Sequence, residues 1–306
     1  MRAFIFPGQG SQSVGMGKAL AEASQVARAL FQEVDDALSQ NLARLMAEGP
    51  IEELTLTENA QPAIMANAVA TFRVSGIDIA KADFVAGHSL GEYSALCAAE
   101  ALGLATTARL LKLRGQAMQA AVPVGKGAMA ALLGLGLEAA LEVAAEAAQG
   151  EICTVANDND PGQVVVSGDK AAVERSLDIA KAKGAKRALL LPVSAPFHCP
   201  LMQPAAEAME RALADAAIRP PAAPLYANVI AAPVEDPAEI RRLLVEQVTG
   251  MVRWRESIAA MAEAGVDHFI EFGGKVLSPM VKRIAPDART SSVISMEDIE
   301  ALVKEI

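Results

Sequence analysis

Residues 3–6 are a short apolar run ended by Pro7-Gly8, which predicts a buried strand. From 16 to 47, Ala, Leu and Val recur at three- and four-residue spacings, the period of helices that bury one face. The same spacing predicts a helix over 59–74, with Pro62 near its first turn. A second apolar run, 82–87, is bounded by glycine and reads as another buried strand; helical patterns follow from Ser89 and over 106–121. Strands alternating with helices predict a mostly parallel sheet covered on both faces.

The pattern then changes. Strands are predicted at 127–134, 152–157, 163–167 and 187–193, with helices at 137–148 and 170–183. The two middle strands are joined by the turn-forming residues DNDPG. This β-α-β-β-α-β order is the split βαβ, or ferredoxin-like, unit, expected here as a small domain (124–193) inserted into a larger one (1–123 and 194–306). The larger unit resumes with helices at 200–217, 237–247 and 254–264 and strands near 224–229 and 267–272. No repeats or low-complexity linkers interrupt it.

Composition narrows the class. With 306 residues, 52% apolar and 21% charged, the chain is a globular α/β protein with ample core. A net charge of −10 argues against an electrostatic nucleic-acid binder. Cys97, Cys153 and Cys199 are widely spaced and show no metal-ligand spacing with the three histidines, so neither disulfides nor a metal site is expected. No apolar stretch predicts a signal peptide or a membrane span, and a cytoplasmic protein is expected.

Gly87-His88-Ser89-Leu90-Gly91 is a G-x-S-x-G element with a predicted strand before it and a helix after it. A sharp strand-to-helix turn crowds its serine, and flanking glycines let the backbone bend. Ser89 would then sit at a helix N-terminus, where amides and the dipole favour developing negative charge. A serine nucleophile needs a base. His88 adjoins the serine and should turn aside to pack or hydrogen-bond beneath the elbow. His268 lies in a strand pattern and reads as structural. His198, in a Pro-flanked loop (Ser194-Ala195-Pro196-Phe197-His198-Cys199-Pro200), remains as the base. An α/β-hydrolase would place its histidine in a late loop and carry a glycine-rich oxyanion segment of HGGG type; here the late His268 sits in a strand pattern, 108 residues follow His198, and no HGGG-type segment is visible. Gly8-Gln9-Gly10 frees backbone near the first strand for an oxyanion amide beside that of Leu90. It is too short for a dinucleotide fingerprint. Spacing alone leaves Arg114 open between a solvated helix arginine and a bidentate carboxylate clamp.

Taken together, FPGQGSQ (6–12), GHSLGEY (87–93), LRGQAM (113–118), GQVVVSG (162–168), VSAPFHCPLM (193–202), EQV (246–248) and GKVL (274–277) resemble the malonyl-CoA:acyl carrier protein transacylases of fatty-acid synthesis, over essentially the whole chain. The resemblance implies a hydrolase-like large domain with a ferredoxin-like insert and a cleft between them. It implies Ser89 as nucleophile, His198 as base, Gln247 as the residue whose backbone carbonyl orients His198, and the Gln9 and Leu90 amides as oxyanion donors. It also implies that Arg114 pairs with the malonyl carboxylate and that Phe197 favours malonyl over methylmalonyl. The implied substrates are malonyl-CoA and phosphopantetheinylated acyl carrier protein, with no bound cofactor and a free-standing, monomeric enzyme. A serine hydrolase or thioesterase on acyl-CoA, a trans-acting acyltransferase of polyketide synthesis, and a non-catalytic interaction protein are the alternatives. Many relatives carry Gly-Pro-Gly where this chain has Phe272-Gly273-Gly274, and the missing proline is expected to loosen that turn. Both implied partners are anionic, so positive charge must be local. Lys181, Lys183, Lys186 and Arg187 form one basic group and Lys275, Lys282 and Arg283 a second, expected to flank the cleft mouth.

Overall fold

A computed structural model describes residues 1–193 and 195–306. The strands are β1 (Arg2–Phe6), β2 (Phe84–Gly87), β3 (Gly127–Leu133), β4 (Cys153–Asp160), β5 (Gln163–Asp169), β6 (Arg187–Leu190), β7 (Leu225–Ala227), β8 (Ala232–Val234), β9 (His268–Phe272) and β10 (Arg289–Val293). They form two sheets. One has the order β10-β9-β1-β2-β7-β8 and is parallel except for the β7–β8 pair; the other has the order β4-β5-β3-β6 and is wholly antiparallel.

The central strand shows why the large sheet needs helices on both faces. Along β1, Ala3 and Ile5 pack with Trp254, Ile258 and Phe269 on one side, whereas Phe4 and Phe6 pack with Phe72, Val85 and Phe272 on the other. A strand apolar on both faces is stable only between two layers. The Phe4, Phe6, Phe72 and Phe272 rings meet at centroid distances of 5.2 to 6.5 Å in mostly edge-on contacts, the arrangement their quadrupoles favour.

The small sheet carries its two helices on one face and has its own core, including Leu132, Val143, Val155, Val166 and Val173. Its strand order is that of the ferredoxin-like unit. Several boundaries differ from expectation. β4 runs to Asp160, so only Pro161 and Gly162 make the turn expected over five residues. Asp158 and Asp160 stay in the strand because each pairs with a large-unit arginine, Asp158 with Arg255 at 2.8 Å and Asp160 with Arg283 at 2.7 Å. Two register shifts in β4 accommodate the bend. The helix expected at 59–74 spans Thr57–Ser75, which puts Pro62 in its second turn. β8, β10 and the helices Ser278–Ile284 and Met296–Val303 were not anticipated. They are short, three to eight residues each.

The Phe272-Gly273-Gly274 turn is held despite its missing proline. The buried Glu271 carboxylate accepts the Val276, Leu277 and Ser278 amides at 2.9, 3.0 and 2.8 Å and the Ser278 hydroxyl at 2.8 Å.

Candidate active site

The site lies at the carboxyl ends of β1 and β2, where open parallel sheets place their ligands. β2 ends at Gly87 and the helix Gly91–Ala98 begins four residues later. Ser89 between them has φ +53°, a left-handed conformation costly for a residue with a Cβ. A Cβ on Gly87 would lie 1.9 Å from the Gly91 backbone, and one on Gly91 would lie 2.3 Å from the Phe6 carbonyl. The two glycines are what permit the turn. Asn228 clamps it from the side: its Oδ1 accepts the Ser89 amide and its Nδ2 donates to the Gly87 carbonyl, both at 2.8 Å.

His198 faces the serine. Its Nε2 is 2.7 Å from Ser89 Oγ, and its Nδ1 is 2.8 Å from the Gln247 backbone carbonyl. A carbonyl only accepts, so Nδ1 carries the proton and Nε2 offers its lone pair to the Ser89 hydroxyl. Burial first, and the Arg114 charge second, depress the His198 pKa to about 3, so the resting imidazole is neutral. Its φ of +56° marks a second constrained residue at the same site.

Arg114 is 1% exposed. It comes from the helix Leu104–Ala121, which approaches the helix Thr57–Ser75 closely because Gly115 follows it; a Cβ there would meet the Glu58 Cα at 2.5 Å. Nη2 donates to Ser89 Oγ at 3.1 Å and to Gln247 Oε1 at 2.7 Å, and Nη1 donates to Gln61 Oε1 at 2.8 Å. The Tyr93 ring lies 5.8 Å from the guanidinium. Among the described residues, Nε has no partner and no carboxylate reaches ion-pair distance. A cation so buried, offered only neutral acceptors, is poised for an incoming carboxylate.

These residues open into a cleft of about 390 Å³ between the two sheets, lined on the insert side by Met129, Asn157, Asn159, Gln163 and Val165. Gln9, Leu90 and Phe197 also line it. Among the described residues, the Gln9 and Leu90 amides donate to no protein acceptor. His88 hydrogen-bonds Asn159 through Nε2 at 2.8 Å and rests 5.7 Å from the Trp254 ring, tying the elbow to the insert while lining the cleft. His268 lies apart and bonds Ser291 Oγ at 2.8 Å. No group of His, Cys, Asp and Glu able to hold a metal occurs among the described residues.

Residues 3–279 match the acyl transferase domain family. The chain belongs to the acyl transferase family. It is 45% identical to the malonyl CoA-acyl carrier protein transacylase of Bacillus subtilis, over 99% of this chain and 96% of that one. Its fold matches the acyl-carrier-protein-S-malonyltransferase of Bartonella henselae with a TM-score of 0.97 at 52% identity, covering 99% and 98% of the two chains. It also matches a malonyl-transacylase solved in complex with its type II PKS acyl-carrier protein, with a TM-score of 0.96 at 41% identity over 100% and 99% of the chains. The protein is thus an acyltransferase of two-sheet α/β fold.

The motif points to Ser89 and Gly91 and elimination among the three histidines points to His198, but nothing local in the sequence points to Gln61, Asn159 or Asn228. Each of these acts through a contact far along the chain, and only the Glu92 of the GHSLGEY segment was in view. The basic groups also need correction. Lys181 pairs with Asp178 one turn back on its own helix at 3.1 Å, and Lys183 pairs with Glu142 at 3.0 Å and Glu146 at 3.6 Å because the two insert helices pack side by side. Arg283 is taken by Asp160, and Lys282 donates to the Ala288 carbonyl. Lys186, Arg187 and Lys275 have no ion-pair partner among the described residues. Lys186 and Arg283 share a hollow with Gln163, which also lines the cleft.

Proposed function

We propose that this acyltransferase moves the malonyl group of malonyl-CoA to the phosphopantetheine thiol of acyl carrier protein through a malonyl-Ser89 intermediate. The observation that carries the reading is the buried Arg114 guanidinium 3.1 Å from Ser89 Oγ, with no carboxylate of the described residues at ion-pair distance. It supplies a subsite for an acyl group that ends in a carboxylate.

The Ser89 proton passes to His198 Nε2 as Oγ bonds to the thioester carbon. The oxyanion is held by the Gln9 and Leu90 amides, each such donor worth about 3 kcal/mol of barrier. The tetrahedral species collapses, the C–S bond breaks, and the CoA thiolate takes the proton from Nε2. The carrier thiol then gives its proton to Nε2 and attacks the acyl-serine carbon. Ser89 Oγ leaves and regains the proton. The Gln247 carbonyl keeps Nδ1–H in place throughout, where a triad would use a carboxylate. Phe197, 8% exposed on the cleft wall, limits branching beside the malonyl carbon. Each step uses side chains, backbone amides and the two substrates, and no bound cofactor.

The separate sheets and cores support a division into 1–123 with 194–306 and an insert at 124–193. Lys186, Arg187 and Lys275 are the cations left to steer an acidic carrier protein. A monomeric, cytoplasmic enzyme accompanies the reading; among the described residues the three cysteines are free and buried, and no helix is long and apolar enough to cross a membrane. Incubation with labelled malonyl-CoA followed by peptide mass spectrometry tests the proposal. A malonyl adduct on Ser89 that is discharged by holo carrier protein faster than by water is expected. An adduct elsewhere, or release chiefly as malonate, overturns it.

A further inference from the structure

Behind the elbow sits a buried acid that the transfer steps do not use. Glu92, 1% exposed, is on the first turn of the helix that follows Ser89. Its Oε1 accepts the Asn228 backbone amide, and its Oε2 accepts Gln247 Nε2 at 2.5 Å. Those two partners hold the rest of the site. Asn228 clamps the Ser89 turn. Gln247 receives Arg114 Nη2 on its side-chain oxygen at 2.7 Å and His198 Nδ1 on its backbone oxygen at 2.8 Å.

We propose that Glu92 is a positioning residue: its carboxylate fixes which way round the Gln247 amide sits, and through that amide it aims Arg114 at the acyl subsite. The inference rests on the malonyl-transfer reading given above. An amide has a donor end and an acceptor end that differ little in shape. With Nε2 bound to Glu92 Oε2 and to the Ser89 carbonyl at 2.9 Å, Oε1 must face the guanidinium. Turned over, the amide would set its N–H groups against Arg114 and its oxygen against the carboxylate, two repulsive contacts in place of two attractive ones. Both of its oxygens accept N–H bonds, the pattern of the ionised group, but burial pushes its pKa up to about 8 against the pull of the Asn228 and Gln247 bonds and the Arg114 charge, so the orienting carboxylate forms fully only as pH rises through that value. A hydrophobic side chain would fill the same volume without the cost of burying a carboxyl but would leave the amide unoriented.

Glu92→Gln is the direct test. Its single acceptor oxygen cannot serve both the Asn228 amide and Gln247 Nε2, so one N–H is left facing an NH₂ group. The expected result is a fall of about tenfold or more in the preference for malonyl-CoA over acetyl-CoA, read as the ratio of kcat/KM values, with most of the malonyl loss in kcat. Glu92→Asp, which keeps two acceptors, recovers part of the preference. In a Gln247→Ala background, which retains the backbone carbonyl, Glu92→Gln changes the ratio no further. A lower melting temperature with an unchanged ratio makes Glu92 a structural residue only and overturns the proposal. Should Glu92→Gln not fold, Glu92→Asp carries the test, and a selectivity change that simply adds to that of Gln247→Ala overturns it equally. Wild-type protein that forms no malonyl-Ser89 would defeat the functional reading itself, whereas a normal wild type with an unchanged variant ratio defeats only the role of Glu92.

Discussion

Arg114→Met tests the acyl subsite most directly, because methionine keeps most of the chain length and deletes the charge. The native guanidinium is 1% exposed and bonded to Ser89, Gln61 and Gln247. A malonyl carboxylate entering this site gains a desolvated cation as partner. Removing one partner of such a pair costs about 3–5 kcal/mol, because the other charge is left buried alone. At about 1.4 kcal/mol per decade, kcat/KM for malonyl-CoA should fall by roughly two to three and a half orders of magnitude. Acetyl-CoA brings no carboxylate. In the wild type it leaves the cation desolvated and unpaired, and the variant removes that penalty, so its kcat/KM should hold or rise. The substitution also strips donors from the Gln61 and Gln247 side-chain oxygens, at a cost of about 1–3 kcal/mol each. That loss falls on both substrates alike and appears in the melting temperature, so the ratio is the diagnostic. Stopped-flow acylation with the two thioesters measures it. Malonyl and acetyl rates that fall together would refute the carboxylate subsite, whatever the size of the fall.

Three further outcomes are expected. His198 has a folded pKa of about 3 against an ordinary value of 6.5. Its neutral form is favoured in the native state, so the stability it contributes is intact above about pH 6.5 and lost as pH falls toward 3, a loss that His198→Ala should remove from acid-denaturation curves. For the same reason kcat/KM for acylation should be flat between about pH 5 and 7, and a histidine-like inflection near 6.5 would contradict a pre-deprotonated base. Ser89→Gly should melt higher than Ser89→Ala, since glycine relieves the left-handed strain at φ +53°, worth about 1 kcal/mol; equal melting temperatures by calorimetry would remove the strain. Charge reversal at Lys186 and Arg187 should slow transfer to carrier protein at low salt and leave acylation by malonyl-CoA much less affected; unchanged carrier kinetics would take these cations out of the docking path.

Much of this protein is written locally. The glycine-bounded apolar runs at 3–6 and 82–87 already read as buried strands, and the glycines around Ser89 as a turn with little room for a Cβ. The β-α-β-β-α-β order of the insert follows from period and turn residues alone. Where it failed locally, at the end of β4, the strand persists because Arg255 and Arg283, about a hundred residues away, neutralise Asp158 and Asp160. The basic run from Lys181 to Arg187 misled in the same way: charge along the chain was positive, but a neighbouring helix brings Glu142 and Glu146 against Lys183. Sequence period determines which elements form and which face they bury, because those depend on residues a few positions apart. Only the tertiary structure decides that Arg114 is buried with no carboxylate of the described residues at ion-pair distance, that His198 meets Ser89 at 2.7 Å, and that Glu92 reaches Gln247, because each depends on elements brought together by the packing of two cores.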